Sequence, residues 1–118
     1  MGKQILLVND LPGYGKVALA AMMPVLAHMG HITYNLPTAL VSNTLDYGKF
    51  EIQDTTHFMQ NTLKVWQELG FTFDAISTGF IVSHEQADLI SSYCCEKRKT
   101  GTKIFVDPIM GDEGHLYN

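Results

Sequence analysis

The sequence predicts an α/β fold in which a mostly parallel sheet is flanked by helices, built as a single domain over residues 1–118. Apolar runs of strand length alternate with amphipathic segments, and those segments are long enough to connect parallel strands as crossovers. The chain has 118 residues, 46% of them hydrophobic, which are the size and composition of one globular domain. We therefore expect helices on the faces of the sheet, joined to it by right-handed connections.

The first helix is expected to lie between two strands. Residues 4–8 form an apolar run that ends at polar turn residues, which is typical of a buried parallel strand. Residues 16–29 carry apolar side chains at helical spacing, and Gly30 follows them as a good C-terminal capping residue. Pro24 lies inside this segment and is expected to kink or interrupt the helix, because proline lacks a backbone N–H.

Short strands are expected before the second helix. Residues 31–35 and 39–41 are predicted as separate strands, with residues 36–38 between them. Residues 50–53 alternate between apolar and polar side chains, which favours a short edge strand.

The second helix has the clearest pattern in the chain. Asp54 or Thr55 is expected to cap its N-terminus, and Gly70 is expected to end it. Its core-facing side is predicted to consist of Phe58, Thr62, Val65, Trp66 and Leu69.

One strand, one helix and a last strand complete the predicted sheet. Residues 73–77 are predicted as a strand that ends at residues 78–80. Ser83 and Gln86 match a capping box, in which each side chain satisfies a free N–H at the start of a helix. The helix is expected to continue through Ala87, Ile90 and Cys94 to a basic end at Lys97-Arg98-Lys99, with Gly101 as its stop and residues 103–106 as the final strand.

Charge and composition exclude several classes of function. Eight basic residues against twelve acidic ones give a net charge of -4, so the chain lacks the basic surface of a nucleic-acid-binding protein. No apolar run approaches the roughly 20 residues that a membrane span requires. Cys94 and Cys95 are adjacent and lack the spacing of a zinc or redox motif, so we expect reduced thiols and a cytoplasmic protein.

The segment of residues 9–16 connects the first strand to the first helix. A phosphate-binding loop does not fit, because its first glycine would fall at Asp10 and Val17 replaces the required Ser or Thr. A glycine-shaped turn that presents Asp10 to a small polar ligand fits better, and a plain connecting turn is the alternative.

Other strand ends carry weaker signals. Thr38, Ser42 and Thr44 supply hydroxyl groups beside strand ends, although by themselves they are better explained as ordinary turn residues. Gly79 permits close approach of a ligand, and Phe80 could stack on a ring.

Asp107 and Asp112 form the strongest single motif. They lie five positions apart after the last strand, where Pro108 and two glycines shape the backbone. Open α/β sheets bind ligands at the carboxyl ends of their strands. Carboxylate oxygens without Cys or His suit Mg²⁺ held together with phosphate, whereas two solvated loop aspartates are the alternative.

Taken together and in order, these motifs resemble the N-terminal part of the pyridoxal (pyridoxine, pyridoxamine) kinase family of the ribokinase-like superfamily. The matching motifs are Asn9-Asp10-Leu11-Pro12-Gly13-Tyr14-Gly15-Lys16, Leu36-Pro37-Thr38-Ala39, Val41-Ser42-Asn43, Phe73-Asp74-Ala75-Ile76, Thr78-Gly79-Phe80 and Val106-Asp107-Pro108-Ile109-Met110-Gly111-Asp112. The resemblance implies a ribokinase-like fold and ATP-dependent phosphorylation of the 5′-hydroxymethyl group of a vitamin B6 vitamer.

The resemblance also assigns roles to individual residues. Asp10 stands where the family contacts the pyridine ring, usually through Ser, and Phe80 stands where many members place a Tyr against the substrate. The remaining residues on the implied substrate side are Thr38, Ser42 and Thr44. Those on the implied Mg²⁺ and ATP-phosphate side are Asp107 and Asp112, with Tyr117 near the nucleotide.

Two departures from the family pattern bear on function. Leu45 replaces a threonine that helps to bind substrate in the family. The Gly-rich anion hole, the aspartate general base and most of the adenine pocket belong to the family's second half, outside these 118 residues. We therefore expect the isolated chain to be inactive and its exposed sheet edge to favour a homodimer.

Two other functions are compatible with the sequence. One is a different ribokinase-like kinase, such as one that acts on hydroxymethylpyrimidine. The other is a non-catalytic module that binds a vitamer or mediates oligomerisation.

Overall fold

A computed structural model of the chain describes residues 2–109, 111–112 and 114–116. The described elements are β1 (Gln4–Tyr14), α1 (Leu19–His28), β2 (Ile32–Asn43), a 3₁₀ helix (Leu45–Tyr47), β3 (Ile52–Asp54), α2 (Thr56–Leu69), β4 (Ala75–Thr78), α3 (His84–Arg98), β5 (Lys103–Val106), β6 (Gly111–Asp112) and β7 (His115–Leu116). None of the described helices is long and apolar enough to cross a membrane.

β1 lies at the centre of a five-stranded sheet with the order β3-β2-β1-β4-β5. It pairs in parallel with β2 and β4, and β4 pairs in parallel with β5. β3 runs antiparallel to β2 at one edge, as predicted for an edge strand there. The predicted α/β class, a mostly parallel sheet flanked by helices, is confirmed.

Both faces of β1 are buried, as its uninterrupted apolar run predicts. Leu6 and Val8 contribute to a core between the sheet and helices α2 and α3. Leu7 is also fully buried, and because side chains alternate along a strand it faces the opposite side, where α1 packs on β1 and β2. The main core consists of Leu6, Val8, Leu36, Met59, Leu63, Phe73, Ile76, Ile90 and Cys94.

β1 and β2 are both longer than predicted. β1 continues past its apolar run to Tyr14, so the predicted turn is wrong, and residues 36–38 lie inside one continuous β2. The pairing register shifts at Asp10, which faces both Thr38 and Ala39 across the strand pair. Such a bulge tolerates turn-forming residues within a strand and lets the pairing resume beyond it.

The first helix is shorter than predicted. It begins at Leu19 and not at residue 16, because the residues before it belong to β1 and its connection. Pro24 does not interrupt it, since α1 runs unbroken to His28.

The predicted core-facing side of α2 is wrong. Phe58, Val65 and Leu69 are 56%, 49% and 60% exposed, whereas Met59 and Leu63 are buried. Trp66, which packs against the core, belongs to both patterns. The sequence carries two apolar stripes at helical spacing, and only the tertiary packing selects between them.

The predicted capping box at the start of α3 is half confirmed. The Ser83 hydroxyl accepts a hydrogen bond from the Gln86 backbone N–H at 3.1 Å. The Gln86 side chain does not return to Ser83; its Oε1 accepts from the Val82 N–H at 3.2 Å instead. Its Nε2 donates to the Thr38 carbonyl at 2.8 Å, which ties α3 to the middle of β2.

Tyr93 on α3 offers a direct test of the packing. Its hydroxyl is buried without a hydrogen-bond partner among the described residues, and burial, followed by Cys94 and Glu96, raises the pKa of Tyr93 to about 12. Tyr93→Phe removes this unsatisfied group, so we expect the free energy of unfolding to rise by about 1 kcal/mol in urea denaturation. Tyr47→Phe, at an exposed ring, is the matched control and should change nothing. A loss of stability in Tyr93→Phe would contradict this packing.

Candidate active site

The site is a crevice at the carboxyl edge of the sheet, between β1 and β4. Strand order reverses at β1: the chain passes through α1 to β2 on one side, and later returns to β4 on the other. Crevices at such reversals are the usual ligand sites of open α/β sheets. The Gly79 N–H donates to the Val8 carbonyl at 2.8 Å, and the Asp107 N–H donates to the Thr78 carbonyl at 3.0 Å. The ends of β4 and β5 therefore lie beside Val8 and Asn9 of β1, at the same edge of the sheet.

An extension of β1 and β2 forms a wall above this edge. Pairing between β1 and β4 stops at Val8 and Thr78, whereas pairing between β1 and β2 continues to Tyr14 and Asn43. At about 3.3 Å per residue, the six further residues of β1 extend the wall by about 20 Å. β3 widens the wall through its antiparallel pairing with β2.

Asn9 joins the two sides of the crevice. Its side chain, which is 6% exposed, accepts hydrogen bonds through Oδ1 from the Asp10 N–H at 3.0 Å and the Phe80 N–H at 2.9 Å. A Cβ atom on Gly79 would lie 2.3 Å from Asn9 Nδ2, so glycine alone leaves room for this amide. Asn9 was not among the residues predicted from the sequence to form the site. The one signal that could have indicated it is an amide side chain directly after the apolar run of β1.

Asp10 and Thr38 are neighbours at the bulge between β1 and β2. Thr38 is fully buried, and its Oγ1 has no hydrogen-bond partner within the part of the chain that the structure describes. Asp10 is partly buried; this burial raises the pKa of its carboxyl group, and a hydrogen bond from its own backbone N–H opposes the rise. The structure thus brings Asp10, Thr38 and Phe80 to one crevice.

The raised pKa of Asp10 predicts the direction in which the stability of the chain changes with pH. Ionisation is harder in the folded than in the unfolded chain, so the carboxylate lowers stability above the folded pKa and has no effect below its ordinary value of 3.8. Asp10→Asn should therefore raise the free energy of unfolding at pH 7, by less than about 1 kcal/mol because water still screens the group. In urea denaturation this gain should shrink as the pH falls towards 4.

Asp88→Asn, at an exposed position of α3, is the control and should show no pH-dependent gain. A destabilised Asp10→Asn variant at pH 7 would show that the Asp10 carboxylate has a favourable partner in the fold.

Ser42 and Thr44 lie apart from that crevice, at the far end of the wall. Ser42 is four residues beyond Thr38, or about 13 Å along β2. Its hydroxyl donates to Asn43 Oδ1 at 2.7 Å and accepts from the Glu51 N–H at 2.8 Å, so it stabilises the wall. Thr44 precedes the 3₁₀ helix that begins at Leu45, beside an open groove of about 710 Å³ that includes Tyr14, Ser42, Tyr47 and Phe50.

The acidic side of the site begins at Asp107. This residue directly follows β5 and is exposed at the carboxyl edge. Asp112 lies in β6, whose backbone alone is described, and Tyr117 lies outside the described residues. The loop predicted after β5 contains the β6–β7 pair.

Asp10 and Asp107 flank β4 on its two sides. Adjacent strands are about 4.8 Å apart, so β1 and β5 are separated by about 10 Å at this edge. Within the described ranges no three His, Cys, Asp or Glu side chains cluster as a complete metal site. An exposed carboxylate such as Asp107 nevertheless fits Mg²⁺, which commonly uses one or two carboxylates together with substrate phosphates.

Comparison with known proteins finds kinases among the similar sequences and structures. The Schizosaccharomyces pombe protein named putative pyridoxal kinase C18.10 is 30% identical over 122 residues, which cover 98% of this chain and 35% of the yeast protein. The structure named putative phosphomethylpyrimidine kinase from Bacteroides thetaiotaomicron superimposes with a TM-score of 0.92 at 38% identity, over 99% of this chain and 41% of the other. The pyridoxal kinase from Lactobacillus plantarum has a TM-score of 0.84 at 29% identity, over 98% and 41%. No protein-family model matches.

The chain spans about two fifths of the length of these relatives. The fold is ribokinase-like, and the predicted resemblance to pyridoxal kinases is confirmed.

Proposed function

We propose, from the premise that this chain is a ribokinase-like relative of the pyridoxal kinases, that it binds a vitamin B6 vitamer for ATP-dependent phosphorylation of the 5′-hydroxymethyl group. The observation that carries the proposal is the pair of backbone N–H groups of Asp10 and Phe80 that converge on Asn9 Oδ1. This contact holds the backbones of an acidic residue and an aromatic residue together at the carboxyl edge between β1 and β4. A polar heteroaromatic ring fits between such groups.

Each side chain has a distinct part in this arrangement. The Asp10 carboxylate accepts a hydrogen bond from the protonated ring nitrogen or the phenolic hydroxyl of the vitamer, and the Phe80 ring packs against the pyridine face. The buried Thr38 hydroxyl is free to bond a ligand that reaches the bulge. The ring held at β1 points its hydroxymethyl group across β4 towards Asp107.

The phosphate side lies about two strand spacings from Asp10. Asp107 holds Mg²⁺ together with ATP phosphates, and the bound ion would neutralise charge that develops on the transferred phosphoryl group. Asp112 and Tyr117 belong to the same proposal. Phosphoryl transfer depends mainly on such positioning and electrostatic stabilisation.

Crystals of two relatives support a B6 vitamer as the ligand. The Bacteroides thetaiotaomicron protein, although named for a pyrimidine substrate, was crystallised with pyridoxal. The Leishmania donovani pyridoxal kinase, which shares the fold at 21% identity, was crystallised with ADP and pyridoxamine. A homodimer and a cytoplasmic location remain part of the proposal.

Calorimetry with pyridoxine tests the proposal. Pyridoxine is preferred to pyridoxal because it has no aldehyde that reacts with lysine amines. We expect saturable one-to-one binding, weakened about tenfold or more in Asp10→Asn and in Phe80→Ala, with Asp88→Asn as the unaffected control. Equal affinity in all four proteins would place the ligand elsewhere and overturn the proposed site.

The second candidate substrate is a hydroxymethylpyrimidine, favoured by the name of the 38% identical relative. A parallel titration with 4-amino-5-hydroxymethyl-2-methylpyrimidine separates the two. Tighter binding of the pyrimidine than of pyridoxine would replace the vitamer as the proposed substrate.

The isolated 118-residue chain is expected to bind without turnover. The resemblance implies that the anion hole and the general base belong to the family's second half. Loss of a general base alone lowers the reaction rate by a factor of about 10² to 10⁴, and loss of the anion hole lowers it further. An assay of ADP formation with pyridoxine and Mg-ATP measures this. Turnover would show that the 118 residues contain a base of their own.

A further inference from the structure

We infer that Asn9 is a positioning residue that holds the two predicted vitamer contacts, Asp10 and Phe80, at a fixed separation. The inference rests on the proposed function and extends it to a residue with no assigned role. The Asn9 oxygen already accepts two backbone N–H groups, so Asn9 acts through its neighbours.

The geometry requires an acceptor at this position. Two N–H donors, one from Asp10 and one from Phe80, point at the same Asn9 oxygen from distances of 3.0 Å and 2.9 Å. A carbonyl oxygen has two lone pairs and can satisfy both donors at once. Asn9 and Phe80 are 71 positions apart in sequence, so no local turn could replace this link.

The other half of the amide reaches a third element. Asn9 Nδ2 lies 3.8 Å from Met22 Sδ of α1, a contact that orients the amide without competing for Oδ1. One side chain thus connects the end of β1, the turn after β4 and the first helix.

The surroundings of Asn9 leave it little freedom. Gly79 provides the space that the amide occupies, since a Cβ atom there would lie 2.3 to 2.8 Å from Nδ2, Cγ and Oδ1 of Asn9. The Gly79 N–H is itself bonded to the Val8 carbonyl, so the turn cannot move away. The backbone amides of Asp10 and Phe80 are therefore held against one oxygen, in a turn that the Gly79–Val8 hydrogen bond also fixes.

Asn9→Leu tests the inference, because leucine keeps the branching of asparagine at Cγ and has no hydrogen-bond acceptor. In the ligand-free chain we expect hydrogen exchange of the Asp10 and Phe80 amides to become at least tenfold faster, while the Leu7 amide within β1 stays protected. Pyridoxine affinity should fall about tenfold or more. Combined with Asp10→Asn, the losses in affinity should be non-additive, because Asn9 acts through Asp10.

Leu63→Ala is the control for a purely structural effect. It destabilises the core of α2 but should leave pyridoxine affinity unchanged while the protein stays folded. Unchanged exchange at both amides in Asn9→Leu, or additive affinity losses, would overturn the inference. If the parent chain binds no pyridoxine, the proposed substrate is wrong, and the exchange measurement alone still decides the role of Asn9.

Discussion

Replacing Gly79 with alanine should destabilise the chain by about 2 to 3 kcal/mol, because the new methyl group has no space. It would meet three atoms of the Asn9 amide at 2.3 to 2.8 Å, and that amide is fixed by two backbone N–H groups. The backbone angle of Gly79 contributes nothing to this cost, since its φ lies outside the positive range that disfavours a side chain. Urea denaturation measures the loss, and pyridoxine binding should be lost in parallel.

Two comparisons isolate the clash. Gly48→Ala lies in open space with a φ of 78°, so it should cost only about 1 to 2 kcal/mol from backbone strain. In an Asn9→Ala background the amide is gone, and Gly79→Ala should cost much less than in the parent chain. An equal cost in both backgrounds would show that the contact with Asn9 is not the cause.

Replacing Gln86 with leucine should cost about 2 to 3 kcal/mol. Gln86 is fully buried, and its Oε1 accepts from the Val82 N–H at 3.2 Å. Its Nε2 donates to the Thr38 carbonyl at 2.8 Å and lies 3.1 Å from the Thr56 hydroxyl. Leucine leaves the partly buried Val82 N–H without a partner and leaves the buried Thr38 carbonyl with only the Thr55 N–H at 3.4 Å, whereas the Thr56 hydroxyl keeps its bond to Asp54. An unsatisfied group of this kind costs about 1 to 3 kcal/mol.

The same substitution should also weaken pyridoxine binding, because the Thr38 carbonyl forms part of the bulge beside Asp10. Gln67→Leu, on the exposed side of α2, is the matched control and should change stability by no more than about 0.5 kcal/mol. Stability of Gln86→Leu within that same range would contradict the hydrogen-bond network drawn around Gln86.

Local signals were sufficient to predict most of the fold. The final strand has the predicted bounds, 103–106, and Ser83 caps α3 as its spacing indicates. Such features depend on residues that are near in sequence, where turn, cap and strand propensities apply directly.

Features that depend on distant contacts were not predictable in this way. Met59 was not distinguished from Phe58 as the core-facing residue of α2, because both belong to stripes of helical period. The bulge at Asp10 exists because β2 passes beside it, and pairing with β2 is what extends β1 beyond a segment rich in turn-forming residues.

In the candidate site, too, the residues at strand ends were predicted and those that depend on distant contacts were not. Asp10 and Phe80 were selected as residues at strand ends, which parallel strands bring together, and their predicted roles came from the family resemblance. Asn9 was not identified, since its function depends on an amide of Phe80, 71 residues away. The separation of Ser42 from Asp10 was equally hidden, because it follows from the unexpected length of β2.

A pyridoxine titration of the 118-residue chain, followed through its backbone amide NMR signals, locates the ligand directly. We predict that the largest shifts occur at Asp10, Thr38 and Phe80, at the carboxyl edge between β1 and β4. Largest shifts at Tyr14, Ser42 and Tyr47, in the groove at the far end of the wall, would contradict it. An absence of any saturable shift would contradict it as well.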